Sequence, residues 1–363
     1  EVPEVLAHLT RLDRARATDP AYKVTVSELN ASANRYIDIV RVDQTVLLTY
    51  TDDRALLPGT YVNASHIPPM PDSIPEAASC IASQAPLPDT FPAFFEQLYS
   101  QHVDILVNLT PLEENGVTKS HQYWPNDSNQ PLKAGKWTVS LISELPAHEA
   151  LPHDVHDVDI DRLSDLTIRR LVLTAPNASP HEITQLHFLG WKDHGPLEPI
   201  YILALMQAIR FLRGKRCSPL WVHCSAGIGR SGTLICAWLA QQLLPKKLHV
   251  SSGLELAAYT TAYVRQYRAG SVQTPGQMLT LAMAIESIDK IPEFMNNCMV
   301  SLQLALFARF FDVSLTRHEK DNVPHYSSCA RRWQASVKEA QHVQPRRHTK
   351  VVHLQQPLRE VLH

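Results

Sequence analysis

No two of the six cysteines, at 80, 217, 224, 236, 298 and 329, form a Cys-x-x-Cys pair. A zinc site or a disulfide framework is therefore unsupported. Reduced thiols suit a cytoplasmic protein, with the nucleus left open. Charge of one sign is also lacking: the formal net charge is −2. No global field argues for nucleic acid, so no nucleic-acid partner is expected. No apolar run reaches the roughly 18 residues of a spanning helix, so no transmembrane segment is expected. The chain opens EVPEVLAHLTRLDRAR without a methionine, so a natural start further upstream is expected. Its charges do not fit a secretory signal. Asn-x-Ser/Thr matches occur, but Asn63 and Asn108 sit in apolar, core-like segments and read as chance. No internal repeat is visible. At 44% hydrophobic and 19% charged, the chain can bury a sizeable core.

Of the 12 glycines, three fall within six positions of one another, in Pro219 to Leu234, PLWVHCSAGIGRSGTL. An apolar strand-like run leads into His223 and Cys224. A loop with Gly227, Gly229 and Gly232 follows, and a helix-like segment runs from Thr233 to Leu244. A strand-to-helix loop can turn its N–H groups inward at the positive end of a helix, making an anion site. The glycines let the backbone curl. A thiol at an anion site ionises readily, and the thiolate is a nucleophile. Arg230, six positions after Cys224, offers a planar fork for two phosphate oxygens. The Ser231 hydroxyl is placed to assist release of a phosphoryl group from sulfur.

HCSAGIGRSGT resembles the signature loop of the phosphotyrosine-specific protein tyrosine phosphatases. Other segments carry the same resemblance in the family's order. Asn34, Arg35, Tyr36 and Asp38 resemble its phosphotyrosine-recognition loop, in which the tyrosine makes the pocket deep and the acidic residue accepts from the peptide backbone. Taken alone, Tyr36 and Asp38 read more readily as a core aromatic and a turn residue; beside the signature loop the recognition reading prevails. GTYVNASHI (59–67) and CIASQAPLPDTFPAFF (80–95) resemble scaffold segments and carry no assigned chemistry, with Ala85 in place of a usual glycine. Glu113 to Pro125 reads as a turn at Asn115-Gly116 with an ion pair of Glu114 and Lys119 across it. The resemblance implies that Glu114 touches the signature arginine and Lys119 lies near the general acid; a solvated surface pair is the alternative.

Trp191, Lys192, Asp193, His194 and Gly195 resemble the mobile Trp-Pro-Asp loop. Asp193 is then the general acid, its proton affinity raised when the lid closes and excludes water. Lys192 departs from the pattern. The missing proline should alter the lid's open-to-closed balance, and a lysine beside the acid lowers its pKa. Ser271 to Met278 resembles the glutamine loop. Gln273 and Gln277, four apart, are expected on one helical edge, orienting the water that attacks a phosphocysteine.

The resemblance implies one α/β domain over residues 1–290, with a highly twisted mixed β-sheet flanked by helices on both sides. It implies hydrolysis of phosphotyrosine in proteins, without metal or other cofactor. Cys224 is the nucleophile. Arg230 and the amides of Ser225, Ala226, Gly227, Ile228 and Gly229 hold phosphate. Asp193 serves as acid and then base, while Ser231, Gln273 and Gln277 assist the second step. Tyr36, Asp38, Asp193 and Gln273 also contact substrate, and Trp191, Glu114 and Lys119 support the site. His223 is expected to lower the cysteine's pKa from behind. A binding module that grips phosphotyrosine without turnover is the rival of another class, favoured by Lys192. A dual-specificity phosphatase is disfavoured by Tyr36.

Elsewhere, apolar patterning predicts strands over 102–110, 137–145, 166–175 and 182–191. Helices are expected over 198–213, 254–268 and 277–289, with a weak one near the start. Leu256, Tyr259, Tyr263 and Tyr267 are expected in the core, and the Pro-rich link 68–75 in an exposed loop. The His/Asp run HDVHDVD (153–159) reads as a solvated loop rather than a metal cluster. Residues 291–363 form a C-terminal extension, partly helical or disordered. From Ser314 on, nine Lys/Arg stand against four Asp/Glu, a basic tail whose partner the sequence does not identify.

Overall fold

Three short apolar runs, Cys80–Ser83, Ile105–Asn108 and Leu220–His223, are buried at every residue. Strands that lack a polar face must be covered on both sides, which is the condition of a parallel sheet centre. In contrast, Trp137–Pro146 and Leu166–Thr174 alternate between buried and more exposed positions over much of their length, as antiparallel strands with one wetter face do.

A computed structural model of the chain describes residues 2–19, 28–39, 61–71, 73–74, 77–151, 160–214, 216–243 and 252–288. All fall in the first of two units into which the chain divides, Glu1–Lys290 and Ile291–His363. The C-terminal extension and the HDVHDVD run lie outside the described residues. In chain order the elements are α1 (Val2–Ala17), β1 (Ala64–Ile67), β2 (Cys80–Ser83), α2 (Phe91–Ser100), β3 (Ile105–Asn108), β4 (Glu113–Glu114) and β5 (Val117–Thr118). Next come β6 (Leu132–Ala134), β7 (Trp137–Pro146), the single turn α3 (Ala147–Ala150), β8 (Leu166–Thr174) and β9 (His181–Phe188). The last are α4 (Pro199–Arg213), β10 (Leu220–His223), α5 (Arg230–Leu243), α6 (Gly253–Tyr267) and α7 (Pro275–Ile288).

The eight-stranded sheet runs β1-β2-β10-β3-β9-β8-β7-β6. Strands β2, β10, β3 and β9 are parallel neighbours, and the others pair antiparallel. Trp221 sits opposite Ile81 and Leu106 on one face, where Phe94 of α2 meets it edge-on at 5.4 Å. Cys80 faces the other way, on the side where α5 packs against β2. The mixed sheet is therefore covered by helices on both faces, as expected. The parallel order matters for the site. It brings the C-terminal ends of β2, β10, β3 and β9 to one edge, the usual place for a ligand in such sheets. From that edge start the Gln84–Ala85 segment, the Cys224 loop, the β4–β5 hairpin and the Trp191 loop.

Some expectations change. The strand expected over 182–191 stops at Phe188, leaving Trp191 in a loop. The 68–75 link is not simply exposed: Met70 and Ser73 are buried, and Tyr263 Oη donates to the carbonyls of Pro68 and Pro69. Tyr259, Tyr263 and Tyr267 are half-buried rather than core. The core stripe of α6 is Leu256, Ala257, Thr260, Thr261 and Val264, because this side packs against α5 and α7 while Tyr263 turns to the link. Among the described residues no helix is long and apolar enough to cross a membrane.

Candidate active site

Strand β10 delivers Cys224 into the loop that ends at Arg230, the first residue of α5. Cys224 is buried, and its Sγ accepts from the Gly227 N–H at 3.2 Å. Gly227 has φ of 72°, and a Cβ there would lie 1.9 Å from Ser83 O. No other residue fits without moving β2. The fully buried Arg268 closes the loop from behind. It donates to the carbonyls of Gly227 and Ala226, so these point away from the anion side. Arg230 Nε and Ser231 Oγ are buried and have no hydrogen-bond partner among the described residues.

His223 makes no hydrogen bond to the sulfur. Its Nδ1 lies 3.1 Å from Cys224 O and its Nε2 2.6 Å from Tyr123 Oη. Tyr123 Oη in turn accepts from Gln185 Nε2 at 2.8 Å. One assignment satisfies every atom: Nδ1–H donates to the carbonyl and Nε2 accepts from the tyrosine. Burial pushes the imidazole down to about 3, so it is neutral. Whatever His223 does for the cysteine it does as a neutral group, through the Cys224 backbone carbonyl.

The lid residues sit over Arg230. Arg230 Nη1 donates to Trp191 O at 3.0 Å and to Glu114 Oε2 at 3.4 Å, while Nη2 donates to Asp193 Oδ1 at 3.0 Å. Lys119 Nζ donates to Asp193 Oδ2 at 2.7 Å, and Glu114 Oε1 accepts from the Asp193 N–H at 2.8 Å. Both Glu114 and Lys119 come from the β4–β5 hairpin, turned by Asn115 and Gly116 with φ of 54° and 74°. Glu114 therefore touches Arg230 and Lys119 touches Asp193, the contacts the resemblance implied, rather than forming a solvated surface pair. Burial alone would raise the Asp193 carboxyl. The Lys119 hydrogen bond and the charges of Arg230, His194 and Lys119 outweigh it and hold the pKa below the usual value. Lys192 is exposed, and the cations bonded to Asp193 are Lys119 and Arg230.

The recognition segment is tied to the same loop. Ser225 Oγ donates to Lys119 O at 2.7 Å, so Tyr36 Oη donates to Ser225 Oγ at 2.8 Å. Asp38 is exposed at the rim. Arg35 anchors the segment, with Nε to Ala85 O at 3.1 Å and its backbone N–H to Gln84 Oε1 at 2.8 Å. On the opposite rim, Gln273 and Gln277 do not share a helical edge. Gln273 precedes α7. Gln277 is buried in its first turn, its Oε1 accepting from the N–H groups of Gln273 and Thr274, while Thr274 Oγ1 accepts from the Gln277 N–H. This is a capping box. Both amides lie over Gly229, where a Cβ would meet Gln277 Nε2 at 2.9 Å and Gln273 Oε1 at 3.1 Å.

A sequence model of one family, protein-tyrosine phosphatase, matches residues 30–287. The chain belongs to that family. Receptor-type tyrosine-protein phosphatase F of Rattus norvegicus is 32% identical over 263 residues, covering 71% of this chain and 12% of the relative. Non-receptor type 18 of Mus musculus is 30% identical over 282 residues, covering 74% and 56%. The chain thus spans only part of the length of these relatives. Among solved structures, a Trypanosoma brucei protein tyrosine phosphatase has a TM-score of 0.64 at 28% identity, covering 81% of this chain and 94% of that one. The catalytic domain of human non-receptor type 18 has a TM-score of 0.65 at 26% identity, covering 79% and 96%.

In this phosphatase-family domain the structure brings together Cys224, Arg230, Ser231, Trp191, Asp193, Glu114, Lys119, Tyr36, Gln273 and Gln277. Ser225, Ala226, Gly227, Ile228 and Gly229 form the loop wall between them. Sequence reasoning passed over Tyr123 and Gln185, which fix the His223 tautomer, and over Gln84 and Arg35 as anchors of the recognition segment. Arg35 lay within the quoted Asn-Arg-Tyr run; the others gave no local signal.

Proposed function

We infer that this chain hydrolyses phosphotyrosine in proteins through a phosphocysteine at Cys224. The reading is carried by one observation: a loop that donates an N–H to the Cys224 sulfur also holds a buried arginine whose Nε has no partner among the described residues. In the first step the Cys224 Sγ–P bond forms and the P–O bond to tyrosine breaks. Asp193 gives its proton to the leaving phenolate. Arg230 and the loop amides from Ser225 to Gly229 carry the charge of the transferring group. In the second step water, oriented by Gln273, forms a new P–O bond. The S–P bond breaks, Asp193 takes the water's proton and Ser231 donates toward the departing thiolate. Gln277 acts by holding Gln273 through its backbone N–H. Tyr36 sets the pocket's depth, and Asp38 is the rim acceptor for a peptide.

Non-receptor type 18, a relative, has been solved in complex with HER2 phospho-peptides, which supports phosphotyrosine-containing proteins as partners here. We assign the chain a role in signal transduction at a cytoplasmic location. Lys192 in the lid favours a second reading, binding without turnover. Release of phosphate from a phosphotyrosine peptide separates the two. Wild type is expected to turn over and Cys224→Ser to be silent. Binding by wild type with no phosphate released would sink the enzymatic reading, and equal turnover of a phosphoserine peptide would sink the specificity.

A further inference from the structure

Helix α1 contributes nothing to the chemistry above, yet it reaches the rim of the site through one buried ion pair. Asp13 Oδ2 accepts from Arg265 Nη1 at 3.1 Å and from the Gly270 N–H at 3.1 Å. The two side chains are 15% and 3% exposed. Arg265, on α6, spends its remaining nitrogens on the segment that follows: Nε donates to Ser271 O at 2.8 Å and Nη2 to Val272 O at 3.0 Å. One pair thus grips three consecutive residues, and the next residue is Gln273.

That grip opposes a local strain. Val272 has φ of 57°. A β-branched side chain in the left-handed region costs about 1–2 kcal/mol and persists only where its surroundings over-determine it. Val272 N–H donates to Ile228 O at 3.1 Å, so the segment is fastened to the Cys224 loop on one side and to Arg265 on the other. The strained residue aims the chain so that the Gln273 amide lies over Gly229, within the wall of the anion site.

The geometry points to Asp13 and Arg265 as positioning residues for Gln273, and so for hydrolysis of the phosphocysteine. This rests on the two-step reading above. Neither residue touches Cys224, Asp193 or Arg230, so the first step is left alone. In the second step, misplacing the amide by an ångström slows water attack on phosphorus while the S–P bond waits to break.

The test is rapid-quench and steady-state kinetics on an aryl phosphate with Asp13→Ala and Arg265→Lys. The lysine keeps the charge beside Asp13 but loses the fork that reaches two carbonyls, so it serves even if the alanine variant fails to fold. We expect kcat to fall about ten- to a hundredfold with kcat/KM unchanged, because the latter reports only steps up to phosphorylation of Cys224. The burst of phenol should approach one equivalent per enzyme, with phospho-Cys224 accumulating after acid quench. If kcat and kcat/KM fall together, or neither moves, the positioning role is overturned. A wild type that forms no phospho-Cys224 would instead overturn the two-step reading itself.

Discussion

Asp193 Oδ1 accepts a hydrogen bond from Arg230 Nη2 at 3.0 Å. In the proposed mechanism these are the acid and the phosphate clamp, and they hold each other. A carboxylate bonded to a guanidinium is a poor proton donor, and a guanidinium bonded to a carboxylate has one arm fewer for phosphate. Substrate phosphate therefore competes with Asp193 for Arg230. When it wins, the positive field on Asp193 falls and its proton affinity rises.

Asp193→Ala separates these effects. In a Cys224→Ser background it should tighten equilibrium binding of a phosphotyrosine peptide about tenfold, since roughly 1.5 kcal/mol of charged hydrogen bond no longer has to be displaced. In the Cys224 enzyme it should lower kcat about 10²- to 10⁴-fold. Weaker binding in the first case would show that Asp193 attracts the substrate rather than competing with it.

In the proposed mechanism Lys119 is expected to set the pH range. Its hydrogen bond to Asp193 raises its own pKa and helps to lower that of Asp193. In Lys119→Met the Asp193 pKa rises, so the acid stays protonated to higher pH. The descending limb of the phenol-burst rate against pH should move upward. A limb that stays in place or moves down would mean that Lys119 does not govern the acid.

Lys192 is replaceable by proline without loss of a backbone bond. Its carbonyl accepts from Gly195 N–H at 3.2 Å, and its own N–H makes no hydrogen bond among the described residues. Lys192→Pro should favour the ordered lid by about 0.4–1 kcal/mol, a factor of roughly two to five. Stopped-flow burst rates should rise by that factor. A fall would mean that the lysine itself is part of the lid's working form.

Stability should fall in acid because two buried imidazoles are neutral in the fold. Burial lowers His187 to about 4 and His223 to about 3. Between those values and 6.5 the unfolded chain binds more protons than the folded one, so stability drops as pH falls through this window. Each group contributes up to roughly 1.4 kcal/mol per pH unit. Urea midpoints from pH 7 to pH 4 should show a shallower decline in His187→Gln. An unchanged slope would place the acid lability elsewhere.

Local pattern made much of the site legible. Cys224, its glycines and Arg230 form one strand–loop–helix unit, and hydrogen bonds within it span a few residues, so the motif carries its own geometry. The same local logic misled at Gln277. Thr274-Pro-Gly-Gln277 is a capping box, whereas the four positions from Gln273 to Gln277 read as one helical edge. For Glu114 and Lys119 the spacing alone suggests a pair across the turn; it is the family resemblance that places Glu114 against Arg230 and Lys119 near Asp193, where both side chains lie.

The sequence by itself determined which chemistry this chain can hold: a thiol at a glycine loop, an arginine at the helix start, an aspartate beside a tryptophan. Only the tertiary structure decided who neutralises whom. Lys119 meets Asp193 from 74 residues away, Tyr123 meets His223 from 100, and Asp13 meets Arg265 from 252. The third pair joins helices α1 and α6; for the first two the reason is the sheet order β2-β10-β3-β9. It gathers four strand ends at one edge, and no periodicity along the chain encodes which neighbours a strand will take.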